Sequence, residues 1–256
     1  MLWIEAQWTP VIALLVFGVC YVLMAAIFCL AAIFSRRAVG KDLKEIAPVL
    51  TPLGIILGLL IGFQAAQVWT NLDRAGEYVG QEAGALREAV LLADFLPPEV
   101  RTSVRQAIRR HLHFVETEEW PAMARGQATL RSIAVGLADA LTAVLSFTPV
   151  QANQQVAQER AVVAIEHAQD ARRNRVRLSQ AEIAPIQWIV IIVLAVLILI
   201  ILALVLIEHR LAMAIAMFIY STAIAVCLVL LMIYDRPFGA GGFVIQPTVL
   251  RDIIPD

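Results

Sequence analysis

The sequence predicts an all-α membrane protein: four transmembrane helices, with a helical extramembrane domain between the second and third spans. Three observations carry that prediction. The chain of 256 residues is 60% hydrophobic, which no soluble domain of this size sustains. Uncharged runs cover 6–34, 46–72, 183–207 and 211–234, and each exceeds the ~20 residues a spanning helix needs. The remaining long segment, 73–182, has charges set among apolar residues at helical spacing and no strand alternation. The expected organisation is a first transmembrane pair over 1–72, the helical domain over 73–182, a second pair over 183–234, and a Gly- and Pro-containing tail over 235–256.

The first run has no Lys or Arg before it and is too long for a cleaved signal, so it reads as a span. Residues 1–9 read as a short cap with Trp3 and Trp8, where interfacial aromatics sit, and the span itself runs from about Pro10 to Phe34. A basic connection follows with Arg36, Arg37 and the only lysines, Lys41 and Lys44. The second run is patterned. Gly54, Gly58, Gly62 and Ala66 recur every four residues and leave one helix face bare, the device by which backbones approach closely in lipid. One position on, Ile55, Leu59, Phe63 and Gln67 form a stripe of larger side chains, about 100° around the helix. One packing face beside one apolar face ending in a polar Gln suits the wall of a pore. A tightly packed span with no conducting role fits the same stretch.

Past Thr70 the helical spacing continues through Leu72, Val79, Leu86, Val90 and Phe95 until Pro97-Pro98 ends it. The next helix is amphipathic, with Val104, Ile108, Leu112 and Val115 on one face, and Trp120-Pro121 is expected to break it. A helix is expected over 125–147. Thr148-Pro149 reads as the start of another, polar almost all round, hence in need of partner helices. Ser179 and Glu182 fit a capping box opening the third span. The fourth span exits into a Gly-rich turn with Gly239, Gly241 and Gly242. The three cysteines, Cys20, Cys29 and Cys227, lie inside apolar runs and read as packing residues.

Net charge is −1, so nothing points to nucleic acid. No phosphate loop, nucleophile elbow or zinc motif is present; no catalytic set, metal site or cofactor is expected. His111 and His113, at i and i+2, point to different helix faces. Arg101, Arg105 and Arg109 line up at i, i+4, i+8, either as a solvated face or as a strip lining an anion vestibule. Arg172, Arg173, Arg175 and Arg177 read as contacts to anionic lipid headgroups or as solvated charge. Glu116, Glu118 and Glu119 read either as carboxylates that hold a cation or, as the plainer reading, as a surface acidic run. Basic residues near the span ends balance on the two sides, so charge does not orient the chain.

The order of two spans, helical domain, two spans and a Pro-Phe turn resembles the bestrophin family of anion channels, and more closely the bestrophin-like membrane proteins of bacteria and plants. The residues that carry the likeness are LGLLIGFQAAQVWTNLDRA at 57–75, LLADFLPPEVRTSVRQAIRRHLHFVETEEWPAMARG at 91–126 and DRPFGAGGFVI at 235–245. The resemblance implies a homo-oligomer, with a pentamer favoured, embedded in membrane lipid. Its second span would line a hydrophobic neck passing small inorganic anions, a role falling here on Ile55, Leu59 and Phe63. It also implies a bacterial inner (plasma) membrane and a cytoplasmic helical domain. Bestrophins follow the Pro-Phe-Gly turn with an acidic run that helps clasp calcium; here Ala240, Gly241, Gly242 and Phe243 stand in its place. The competing class is a non-conducting scaffold or sensor whose helical domain binds a partner or lipid.

Overall fold

The computed structural model describes residues 8–35, 46–130 and 136–239, together with Ile245, Leu250 and Ile253. Expectations resting on Trp3, on the basic residues 36, 37, 41 and 44, and on Gly241 and Gly242 fall outside them. Among the described residues the only regular structure is helix, with no strand. The helices are α1 (Trp8–Ser35), α2 (Leu50–Ala93), α3 (Pro98–Phe114), α4 (Trp120–Ala124), α5 (Leu137–Leu145), α6 (Ala152–Leu178), α7 (Pro185–Val205) and α8 (Arg210–Tyr234). α1, α7 and α8 and the first part of α2 are long and apolar enough to cross a membrane. The chain divides into two compact units, Met1–Trp69 with Glu182–Asp235 and Thr70–Ala181 with Arg236–Asp256.

In the first unit α1 packs chiefly on α8. Tyr21 stacks on Phe218 with ring centroids 5.4 Å apart, and its hydroxyl lies 3.0 Å from Thr222 Oγ1. α2 meets its own chain along a narrow face: Leu57 and Val68 are buried with Ile191, Ala195 and Ile198 of α7 and Leu231 of α8. Pro185 stands in the first turn of α7, where no intrahelical donor is missed. Gln187 Oε1 reaches back to accept from the Ala184 N–H at 3.1 Å. The expected box of Ser179 and Glu182 does not form the start of this helix. Ser179 Oγ instead donates to the Val176 carbonyl at the end of α6, at 2.7 Å.

α2 runs unbroken for 44 residues, about 66 Å of helix, well beyond the ~30 Å of bilayer hydrocarbon. Its later part supplies Val79, Leu86 and Val90 to the core of the second unit, where α3 contributes Val104 and Ile108 and α5 contributes Leu137 and Val144. α6 is not polar all round as expected. Ala157, Ala161, Ala164, Ile165 and Ala168 form a buried stripe of small residues, so packing in this helix is carried by alanine, which polarity counting overlooks. α6 begins at Ala152, three residues beyond the expected Thr148-Pro149 start. The capping oxygen is Gln154 Oε1, which accepts from the N–H groups of Val150 and Gln151 at 3.2 and 3.4 Å.

Two further expectations are corrected. Trp120-Pro121 does not break the α3 helix. A π-turn over Val115–Glu119 inserts one residue, the Trp120 N–H donates to the Val115 carbonyl, and α4 continues from it. The widened turn absorbs the proline that would clash in a regular helix. The helix placed over 125–147 is only Leu137–Leu145 among the described residues. It opens at Gly136 with φ +90°. A Cβ at Gly136 would lie 2.3 Å from the Ala107 carbonyl oxygen and 2.8 Å from the His111 nitrogen, so the close crossing of α5 on α3 requires glycine there. Phe238 of the Pro237-Phe238-Gly239 turn is buried edge-on against Trp120, with centroids 5.5 Å apart.

Candidate functional site: the open face of the second span

α2 carries side chains of two groups, an exposed stripe in the first unit and a buried charge cluster in the second. In the first unit the directions around α2 follow from the helical turn. With buried Leu57 set at zero, Gln64 and Val68 fall within about 20° of it, and both are buried. Ile55 and Leu59 fall about 160° away on either side of the opposite pole, and Phe63 about 120° away. They are 58%, 58% and 71% exposed. Gln67 completes the stripe and is also exposed. Between the buried face and the stripe lie Gly54, Gly58 and Gly62, where an added Cβ would meet nothing within 4 Å. Ala66 is exposed as well. The protomer thus covers one edge of its second span and leaves both the glycine row and the apolar stripe open.

The aligned arginines of α3 are not equivalent. Arg105 donates to Asp94 Oδ1 at 2.8 Å, with both side chains partly exposed. Arg101 is half-buried and Arg109 exposed. The strip is interrupted at its centre by an ion pair, which lowers its net charge.

In the second unit α2, α3, the π-turn and α6 bring five charged or titratable side chains to one buried point, which sequence reasoning missed. Arg175 is fully buried. Its Nε donates to Glu82 Oε2 at 2.8 Å, and its Nη2 to Glu82 Oε1 at 3.2 Å and to Glu119 Oε1 at 2.7 Å. The guanidinium carbon lies 5.1 Å over the Trp120 ring. Arg172 pairs with the other oxygen of Glu119. His111 Nε2 lies 3.0 Å from Glu82 Oε1. Burial by itself pushes the Glu82 carboxyl up, but the Arg175 charge and the His111 hydrogen bond outweigh it and hold it at about 2. Burial likewise works against the Arg175 charge, and the two carboxylates overcome it, so its pKa is raised. An ionised Glu82 only accepts, so His111 carries its hydrogen on Nε2; His111 Nδ1 is buried and has no hydrogen-bond partner among the described residues.

This cluster corrects two sequence readings. Arg172 and Arg175 do not reach headgroups or solvent, and Glu119 is not a surface acid. The π-turn turns Glu119 inward, while Glu116 and Glu118 stay exposed. The signal was present in the spacing. Glu82 lies on the face of Val79 and Leu86, and Arg172 and Arg175 continue the i+3/i+4 ladder of Ile165 and Ala168. Opposite charges on two apolar faces are a pair waiting for each other. With no solvent access, the cluster holds helices together and offers no place for a substrate.

Four membrane-length helices, one with an open apolar stripe beside a bare glycine row, and a helical domain clamped by buried ion pairs define an all-α integral membrane protein. The model of the Bestrophin-like domain matches residues 12–250, and the chain belongs to that family. Among solved structures, it is similar to a bacterial bestrophin homologue from Klebsiella pneumoniae. A variant of that protein with tryptophan replaced by alanine matches at 14% identity and TM-score 0.68, covering 93% of this chain and 95% of the other. A second variant, with aspartate replaced by alanine, matches at 14% identity and TM-score 0.69 over 94% and 97%. A membrane protein carrying a glycine-to-alanine change matches at 16% identity and TM-score 0.69 over 91% and 94%. At these identities the likeness is one of fold. No curated protein matches the chain.

Proposed function

We propose that the chain assembles as a homo-oligomer, with a pentamer favoured, and forms an ion channel that passes small anions down their gradient. In this reading Ile55, Leu59 and Phe63 ring a central axis as an apolar neck. The observation that carries it is the position of this stripe, opposite the face by which α2 packs on its own chain.

Exposed apolar side chains alone are also what a lipid-facing helix shows. Two neighbours of the stripe favour a pore. Lipid gives no reason to keep a row of glycines bare, whereas a second α2 seated on that row brings the stripe to the axis. Gln67, at the end of the stripe, adds a polar side chain to the same exposed face, in keeping with the wall of a water-filled path. Rings of apolar side chains gate by dewetting, and arginines such as Arg101 and Arg109 would raise the local anion concentration. By family resemblance the helical domain faces the cytoplasm of a bacterial inner membrane. No enzymatic role is proposed.

The test is the subunit count of the purified protein by single-particle imaging, with currents from the same preparation in planar bilayers. A ring with α2 at its axis and anion-selective current are expected. A monomer or dimer that is silent in chloride, bromide and nitrate would favour the scaffold instead.

A further inference from the structure

A row of buried side chains, Val104, Ile108, His111 and Val115, seats α3 in the core of the second unit. Its steps of four, three and four residues are the ladder of one helix face. In an uninterrupted helix the next step, three residues on, is Glu118, about 20° from His111 around the axis. The π-turn over Val115–Glu119 inserts one residue, so the inward place goes to Glu119. Glu119 is buried there against Arg172 and Arg175, while Glu118 is exposed. Either of these consecutive glutamates can supply the carboxylate that the buried guanidinium groups require. A single step of helix register decides which one does.

The downstream residues favour Glu119. Pro121 would press its ring on the Thr117 carbonyl in a regular helix, and the wider turn relieves that. The Trp120 ring lies 5.1 Å from the Arg175 guanidinium carbon and edge-on to Phe238 at 5.5 Å. Met123 is buried, with its sulfur 3.5 Å from Arg175 Nη1. The piece that would have to rotate is nevertheless short. α4 has five residues and is followed by Gly126 at φ +68°.

We propose that the π-turn is a two-position register switch. In the resting register Glu119 pairs with the arginines and Trp120 packs on Phe238. In the second register the turn closes to a regular α-turn, and the Glu119 N–H replaces the Trp120 N–H at the Val115 carbonyl. Glu118 then swings inward to the arginines, and Glu119 moves to the place of Trp120. A carboxylate there cannot pack on the Phe238 ring, so the Pro237-Phe238-Gly239 turn comes away as the register changes. Both registers keep the ion pairs, which makes them two discrete states and not a gradual loosening. The switch does not depend on whether the chain conducts.

The test reads which glutamate faces inward. Carboxylates of the full-length protein in detergent are amidated with carbodiimide and glycine ethyl ester, and the adducts are placed by tandem mass spectrometry. In the wild type Glu118 should label like exposed Glu99 of α3, and Glu119 should label severalfold less. Pro121→Ala removes the ring that opposes the regular turn. It should raise Glu119 labelling and lower Glu118 labelling, each severalfold, with Glu99 unchanged. Phe238→Leu loosens the hold on Trp120 from outside the helix. It should move both labels in the same directions, and it carries the test if Pro121→Ala does not fold. Local unfolding would raise Glu119 labelling without protecting Glu118. That pattern, or Glu118 labelling unchanged in both variants, overturns the proposal.

Discussion

At the scale of single residues, the second unit is held by charges that are stable only while paired. Glu82, Glu119, Arg172 and Arg175 balance as two carboxylates and two guanidinium groups, all nearly or fully buried. Removing one partner strands the others without solvent, which typically costs 3–5 kcal/mol. The Glu82 carboxyl is held at about 2 against an ordinary value of 4.5. Its contribution is therefore complete above about pH 5 and disappears as the pH falls towards 2, a change of roughly 3 kcal/mol. Unfolding of the detergent-solubilised protein, followed by circular dichroism, should show wild-type stability falling steeply over that window. Glu82→Gln should start lower at neutral pH and lose less on acidification; an identical acid slope in the two would show that Glu82 does not carry it. Gly136→Ala tests the backbone in the same unit. Alanine is strained at φ +90° and its Cβ would press on the Ala107 carbonyl, so a loss of about 1–3 kcal/mol is expected in the same measurement.

At the scale of the element, α2 decides what the first unit can do. Its buried edge is set by Leu57, Gln64 and Val68, and the opposite pole by Ile55 and Leu59. If that pole is a pore neck, Phe63→Ala widens and wets it. Current in reconstituted bilayers should rise severalfold with little change in anion preference, while Leu211→Ala, on an exposed face of α8, should leave current unchanged. Equal currents from wild type and Phe63→Ala would remove Phe63 from the conduction path. The spans, the unbroken run of α2 into the second unit and the glycine row were legible because apolar length and four-residue spacing are local signals. The break expected at Trp120-Pro121 was misread because a π-turn has no signature in residue type. The Glu82–Arg175 pair joins positions 93 residues apart, and only the apolar faces on which each charge sits hinted at it. The true starts of α6 and α7 were hidden for a simpler reason. Gln154 and Gln187 reach back as caps, a role more often filled by Ser, Thr, Asp or Asn at the cap itself.

At the scale of the whole molecule, the proposed oligomer would seat a second copy on the open glycines of α2. Four-residue spacing of glycine returns later in the same helix at Gly76, Gly80 and Gly84; a Cβ at Gly76 would meet Ile245 Cδ1 at 3.9 Å. Gly80 and Gly84, like Gly58 and Gly62, have no atom within 4 Å of an added Cβ. Gly58→Leu therefore places a large side chain where the protomer itself has nothing to clash with. Its fold should survive, with unchanged helical content. What fails is close approach of a neighbouring α2, because a leucine between the helices moves their axes from near backbone contact towards the 8–10 Å spacing of ordinary packing. Light scattering coupled to size exclusion should show the wild type as a single oligomer and Gly58→Leu shifted to smaller species. Gly58→Ala should fall between them. A Gly58→Leu protein that elutes at wild-type mass would mean that the glycine row faces lipid, and the pore neck would lose the packing that brings it to an axis. A variant that aggregates with lost helicity would instead show that the row is packed within one chain, against the open space the protomer leaves around it.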